Sequence, residues 1–412
     1  MSDSLSVSST HPGSAPRQRI LLIGGGREAF DLLDDAHALG LDVLNINTRS
    51  QFRDAFLSRV EHAVITDYTN IDVLVPIART LQAVLPFERV ISLSEEGLLP
   101  AAHVGDALGL PGNSLETVRL LKDKARMRAR LDEIGLSPVL ARAGSSREDI
   151  AAFVAEHGAP AIVKPVDGAR SFGVFRIAGE RDIDPAADAL ASAGISRFII
   201  EEYLDGPEIS VESFSFGGRH IIVAITDKLI LDNHVEIGHT MPSQIGAEAC
   251  REVESLVIEF LDAVRLREGP AHTEIKLTRR GPRIIESHNR VGGDRINELL
   301  RIAYGVSLKS LALAWTCGLA EAMSAPPPMQ SAVAIRFFAP PPGVVSEIRG
   351  ADTVRAMPGF AELRLSVKPG DRIQPIRSSD DRAGHVIASG RDVSEAVERC
   401  ERMLREIRIV TQ

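Results

Sequence analysis

The stretch APAIVKPVDGARSFGVFRI, residues 159–177, is composed like a β-hairpin with an overlong, bare turn. Ile162 and Val163, then Val174, Phe175 and Ile177, carry the branched or aromatic side chains that suit a pleated strand. Between them Gly168, Ala169, Ser171 and Gly173 carry almost no side chain. A tight hairpin uses about two such residues. The surplus predicts a loop whose backbone lies close to another group, and a phosphate chain is one candidate. Lys164 stands inside the first strand, where an ammonium needs a paired charge if it is buried; an exposed edge position is the plain alternative.

On the N-terminal side, strand-like and helix-like segments alternate at short spacing. RILLIGGG (19–26) runs into glycines, REAFDLLDDAHALG (27–40) is an amphipathic helix stopped by Gly40, and LDVLNINT (41–48), AVITDYTN (63–70) and RVISL (89–93) supply further strands. This alternation predicts an open parallel α/β domain over residues 18–113. SLETVRLLKDKARMRARLDEIG (114–135) reads as one long helix, capped by Ser114 and ended at Gly135. From there to about residue 324 longer strands joined by turns give an α+β pattern, and SAPPPMQ (324–330) leads into a C-terminal α+β region over 325–412. Residues 1–17 read as a disordered tail, with neither the basic start nor the apolar core of a signal peptide.

At 412 residues, 44% hydrophobic and 25% charged, the chain has the composition of a globular protein of two or three domains. Its formal charge of −9 argues against nucleic acid as a partner. Three cysteines, Cys250, Cys317 and Cys400, lie far apart without C-x-x-C spacing, as reduced thiols in a cytoplasm would. LALAWTCGLAEAM (311–323) is too short to span a membrane, so a cytoplasmic, membrane-free protein is expected.

Gly24, Gly26 and Ala29 in GGGREA match a dinucleotide fingerprint, but the second strand ends in Asn47 and Thr48, without the acid that binds ribose hydroxyls. A turn packing helix on strand is the better reading. The loop after Lys164 lacks the G-x-x-x-x-G-K-[ST] order of a P-loop. Lys124 in KDKARMR is either a second phosphate cation or a solvated helix residue. FIIEEYLDGPEISVESF (198–214) is either a charged hairpin or a connection between lobes that offers backbone groups to an adenine, with Glu208 placed to accept from ribose hydroxyls. In HTEIKLTRRGPRIIESHNR (272–290) the turn TRRGPR pairs its flanks antiparallel and sets Glu274 nearly opposite Glu286. Like charges so placed are destabilising unless a hard cation lies between them, and Mg2+ held by one or two carboxylates and substrate phosphates is the usual arrangement.

The order and wording of these segments resemble the ATP-grasp superfamily, and within it the carboxylate–amine ligases of the L-amino acid ligase and dapdiamide synthetase type. The blocks SEEGLLPAAHVGDALGLPGNSLETVRLLKDKARMRARLDEIGL (94–136), AIVKPVDGARSFGV (161–174), IIEEYLDGPEISVE (199–212), HTEIKL (272–277) and IIESHNRVGGDRI (284–296) carry the likeness. The resemblance implies an ATP-grasp fold: an N-terminal pre-ATP-grasp domain to residue 113, a nucleotide-binding region over 114–324 with a mobile lid at about 125–205, and the C-terminal subdomain. It implies ATP and Mg2+ as cofactors, with Mn2+ as an alternative metal. Lys124 and Lys164 match phosphate-binding lysines, and residues 167–174, including Gly168, Ser171, Phe172 and Gly173, match the loop that closes over ATP. Glu201 matches the residue facing the adenine amino group, Glu202, Tyr203 and Leu204 the adjoining strip, and Glu208 the ribose acid. Glu274 and Glu286 match metal ligands, and Arg290 matches the arginine that supports the transferred phosphate. Where many members have Glu-x-Asn, this chain has Glu286 and His288 on one strand face, so His288 is carried over as a ligand or a neighbour of one.

The activity so implied is ATP-dependent joining of a small carboxylic acid or amino acid to an amine through an acyl phosphate, releasing ADP and phosphate. An ATP-grasp carboxylase, a purine-pathway ligase or a non-catalytic nucleotide-binding protein are the alternatives. Lys228, Glu236 and His239 in DKLILDNHVEIGHTMPSQ, Gly292 and Gly293 followed by Arg295, and Glu95 are the candidates for recognising acid or amine. Homodimers are common among proteins that this chain resembles.

Overall fold

The computed structural model describes residues 17–26, 29–168 and 171–412, so the expected tail, apart from Arg17, lies outside the described residues. The first sheet is built from β1 (Arg19–Ile23), β2 (Asp42–Asn47), β3 (His62–Ile65) and β4 (Arg89–Ile91), with α1 (Ala29–Ala38) and α2 (Ile71–Val84) as crossovers and α3 (Leu98–Leu108) following β4. Its order is β3-β2-β1-β4 and each pairing is parallel. The unbroken apolar run of β1 follows from burial of both sheet faces. Asn45 and Asn47 turn the end of β2 against the glycine loop: their side-chain amides donate to Leu22 O (3.0 Å) and Gly25 O (2.9 Å). Those asparagines hold the loop's backbone, as expected for a turn that packs helix on strand.

The expected long helix is two. α4 (Leu115–Lys122) and α5 (Lys124–Glu133) break at Asp123, whose carboxylate accepts from the N–H groups of Ala125 (3.0 Å) and Arg126 (3.1 Å). An aspartate competes for the backbone in this way and suits a cap better than a helix interior. The amide of Lys124 bonds instead to Val166 O at 2.8 Å, which fastens the start of α5 to the strand that carries Lys164.

β5 (Ala141–Gly144), β6 (Ala161–Pro165), β7 (Phe175–Ile177) and β8 (Phe198–Glu202) form an antiparallel sheet in the order β5-β8-β6-β7. α6 (Arg147–His157) and α7 (Ile183–Ser192) supply its apolar cover. The hairpin read at 159–177 is β6 and β7. Gly173, at φ +74°, would bring a Cβ within 3.0 Å of the Pro165 ring, so the bare turn is needed for folding over Pro165.

The third sheet has eight strands in the order β13-β12-β9-β10-β11-β14-β18-β16. These are β9 (Glu208–Phe216), β10 (Arg219–Ile230), β11 (Glu236–Met241), β12 (Glu268–Thr278), β13 (Gly281–His288), β14 (Ala332–Phe337), β16 (Phe360–Leu365) and β18 (Gly384–Gly390); β15 (Gly343–Arg349), β17 (Arg372–Ile373) and β19 (Arg408–Thr411) make a small side sheet. The run 198–214 is therefore not a hairpin. β8 and β9 belong to different sheets, and the turn between them lies so close to β12 that a Cβ on Gly206 would sit 2.0 Å from Leu277 O. α8 (Ala247–Ala263) covers one face of the large sheet, and α9 (Ile296–Tyr304) and α10 (Leu308–Thr316) pack on the other. α11 (Ala351–Arg355) and α12 (Val393–Glu406) close the C-terminal core.

Candidate active site

A cavity of about 750 Å³ is lined by the β1 and β4 loops, by the β6–β7 turn and by one face of the eight-stranded sheet. Strand alternation decides what enters it. Glu208 on β9, His272, Glu274 and Lys276 on β12, and Glu286 and His288 on β13 all project to that face.

At one end two buried lysines converge. Lys124 Nζ lies 3.0 Å from Glu286 Oε2 and donates to Gly168 O at 2.6 Å; Lys164 Nζ lies 2.8 Å from Glu201 Oε2. Arg128 reaches the same carboxylate from α5, with Nε 2.8 Å from Glu201 Oε1 and Nη2 2.6 Å from Ile284 O. Burial would raise the Glu201 carboxyl; the charges of Lys164 and Arg128 outweigh it and hold the group below its ordinary range. The sequence reading missed Arg128, although its position four residues after Lys124, on the same helix face, was a usable signal. Arg128→Met is expected to lower stability by about 3 kcal/mol, because a buried carboxylate loses half of its compensation. Denaturant unfolding without nucleotide measures it, and a loss below about 1 kcal/mol would mean that Lys164 suffices.

Glu202, Tyr203 and Leu204 line the cavity beside Glu201, with the Glu202 side chain turned to Arg280 at 2.6 Å and the Tyr203 ring under Arg176 at 4.5 Å. Glu208 pairs with Lys228 (2.6 Å) and Lys276 (3.2 Å). Gly168, Ser171 and Phe172 reach the cavity from the loop; Ser171 Oγ donates across it to His234 O at 3.1 Å, while Phe172 is largely exposed. Residues 169 and 170 of that loop lie outside the described residues.

Glu274 and Glu286 face each other across the β12–β13 ladder. Each has further partners: Lys228 (2.8 Å) and His272 (3.3 Å) on Glu274, Lys124 and His288 (both 3.0 Å) on Glu286. Burial opposes ionisation of both, and Lys228 with His272 on one, Lys124 with the His288 hydrogen bond on the other, prevail, so both carboxyls lie well below their usual range. His272, squeezed between Glu212 and Glu274, is driven up to about 9 against its burial. Among the described residues no three His, Cys, Asp or Glu side chains gather as a metal cluster. Two facing carboxylates are a donor set that could hold a hard cation whose other ligands are phosphate oxygens and water.

Several of the expected residues have partners within the chain. His288 has both ring nitrogens against carboxylates, Nε2 on Glu286 and Nδ1 on Glu95 at 3.2 Å, which makes it a neighbour of the expected ligand Glu286. Glu95 lines the cavity with Lys122 (2.7 Å), His288 and Arg290 (2.5 Å) around its carboxylate. Arg295 turns to Glu362 at 2.6 Å, so its charge is already neutralised. Gly292 lies where a Cβ would be 2.8 Å from His272 Nδ1, and Gly293 O accepts from Ile296 at the start of α9. Lys228 sits among Glu208, Glu274 and Glu236 (3.3 Å) as a structural counter-ion. His239 does line the cavity, with an unforeseen partner, Asp294, at 3.1 Å, itself gripped by Arg382.

The chain matches three sequence families: an ATP-grasp N-terminal domain over residues 33–112, an ATP-grasp domain over 157–298 and L-amino acid ligase C-terminal domain 2 over 336–412. It is 27% identical over 254 residues to the alanine–anticapsin ligase of Bacillus subtilis, covering 56% of this chain and 54% of that one. To the L-arginine-specific L-amino acid ligase of Bacillus subtilis it is 24% identical, covering 82% of this chain and 84% of that one. The chain thus spans about half the length of the first relative and most of the second. In fold it is similar to the L-amino acid ligase of Bacillus licheniformis, with a TM-score of 0.83 at 21% identity over 97% of this chain and all of that one.

Proposed function

We propose, from the premise that the chain belongs to the ATP-grasp superfamily, that it is an ATP-dependent ligase joining a small carboxylic acid or amino acid to an amine, with release of ADP and phosphate. The observation that carries this reading is Glu274 opposite Glu286 in a cavity that also holds Lys124, Lys164 and Arg290. That is the charge arrangement a triphosphate and a divalent ion require.

In this reading Lys124 and Lys164 hold the phosphates, and the Lys124–Gly168 bond couples one of them to the loop over the nucleotide. The 201–204 strip faces the base and Glu208 the ribose. Glu274 and Glu286 would hold Mg2+, which would supply charge neutralisation to the phosphate oxygens. The substrate carboxylate attacks the γ-phosphorus, ADP leaves, and the amine then displaces phosphate from the acyl carbon. Arg290, kept in place by Glu95, stabilises the charge on the transferred group. Positioning and exclusion of water are the protein's remaining work. A cytoplasmic location belongs to this reading, in keeping with three unpaired cysteines and with no helix among the described residues able to cross a membrane.

The test is product stoichiometry with the twenty protein amino acids offered singly and in pairs. ADP and phosphate are expected in equal amounts, and at full rate only when acid and amine are both present. Formation of AMP and pyrophosphate would exclude the mechanism.

A further inference from the structure

Resting on the ligase reading, we infer that His239 is the base that takes a proton from the incoming amine, with Asp294 and Arg382 as positioning residues. His239 is 3% exposed and lines the cavity from β11. Its Nε2 is 3.1 Å from Asp294 Oδ2, while its buried Nδ1 has no hydrogen-bond partner among the described residues. Arg382 holds Asp294 through both terminal nitrogens, at 2.8 Å to Oδ2 and 2.5 Å to Oδ1. Burial would raise the Asp294 carboxyl, and the bonds from Arg382 and His239 keep it far below its ordinary range. An ionised carboxylate at Nε2 calls for an N–H on that nitrogen, so Nδ1, without a partner among the described residues, is the ring atom left to exchange a proton.

The backbone supports a purpose for this arrangement. Asp294 and Arg295 are consecutive non-glycine residues at φ +51° and +65°, a conformation that persists where surrounding contacts enforce it. Here Arg382 fixes one side chain and Glu362 the other. The charged groups around His239 are Asp294 from the loop before α9, Arg382 from the segment before β18, Arg336 on β14, whose Nη1 donates to the His239 carbonyl at 3.2 Å, Lys228 at the paired position on β10, and Glu236 on its own strand. Asp294 is the one bonded to the ring. The Phe337 ring stands edge-on to the imidazole at 6.0 Å and carries the Arg382 guanidinium on its face at 3.7 Å.

An amino-acid amine arrives as an ammonium and cannot attack until it loses a proton. Nδ1 accepts that proton, and the freed nitrogen pair forms the C–N bond at the acyl carbon. The C–O bond to phosphate breaks with its electron pair on the leaving oxygen. Phosphate takes the second nitrogen proton, and the third remains on the amide. The imidazolium left on His239 is balanced by Asp294 and returns its proton to solvent when the cavity opens.

Hydroxylamine separates this role from a structural one, because it is largely uncharged at neutral pH and needs no base. With ATP, Mg2+ and each protein L-amino acid as acid, the parent enzyme is expected to form both hydroxamates and amides. His239→Gln is expected to lose about 100-fold in amide formation with amino-acid amines while changing hydroxamate formation less than about threefold, and Asp294→Asn about tenfold on the same amines. Equal losses on both nucleophiles, or no loss on amino acids in either variant, would overturn the inference. A parent protein that forms neither hydroxamate nor ADP with any acid sinks the ligase reading and this inference with it.

Discussion

Glu274→Gln combined with Glu286→Gln is expected to reduce turnover by on the order of 1,000-fold or more, by removing the two charges that would hold a divalent ion against the nucleotide. Activity alone would be ambiguous, since Lys124 and Lys228 lean on the same carboxylates at 3.0 and 2.8 Å. The decisive readout is the metal dependence of nucleotide affinity. ATP binding by the parent protein, followed calorimetrically, should strengthen when Mg2+ is added, and the double variant should bind ATP with one affinity whether or not Mg2+ is present. Lys228 keeps Glu208 and Glu236 as partners, so Glu274→Gln leaves its ammonium compensated. Among the described residues Lys124 keeps the Gly168 carbonyl as its hydrogen-bond partner and no carboxylate ion pair, and the Glu286 change should therefore cost more stability than the Glu274 change. A double variant that retains an Mg2+-dependent gain in ATP affinity would place the metal elsewhere.

Arg290→Gln is expected to lower kcat by about 1,000-fold, the scale on which an arginine stabilises charge on a transferring phosphoryl group. ATP affinity should stay within about threefold, because that charge develops only in the transition state. Removing Arg290 also releases Glu95, which then retains Lys122 and His288. Glu95→Gln is the companion experiment: it leaves the guanidinium in the chain but takes away the 2.5 Å contact that orients it, and a smaller loss in kcat is expected. A Glu95→Gln loss as large as that of Arg290→Gln, with ATP affinity unchanged, would move the principal role from the arginine to the carboxylate. A fall in ATP affinity that matches the fall in kcat would show that Arg290 serves binding of the ground state instead.

Much of this architecture was legible in the sequence wherever the relevant signal is local. The hairpin at 159–177 is announced by branched residues on both sides of a bare turn, and β6 and β7 pair there. The facing of Glu274 and Glu286 follows from a turn and a period of two, both contained within nineteen residues of chain. Local patterning misled where one residue outweighed the average of its neighbours. Helical periodicity runs unbroken through 114–135, but Asp123 divides it by capping a new helix, and the division turns Lys124 into the cavity.

By itself, then, the chain's order of residues determined where the hairpin at 159–177 forms, that the first sheet is parallel, and that Glu274 and Glu286 reach one common face, because those outcomes depend on neighbours a few positions away. The tertiary structure alone decided which charge answers which. Arg290 meets Glu95 across 195 positions, Arg128 meets Glu201 across 73, and Arg382 meets Asp294 across 88. In a buried cleft each carboxylate takes the cation that the packing of sheets brings within about 3 Å, since at low dielectric an unpaired charge is costly. No spacing in the sequence encodes that distance.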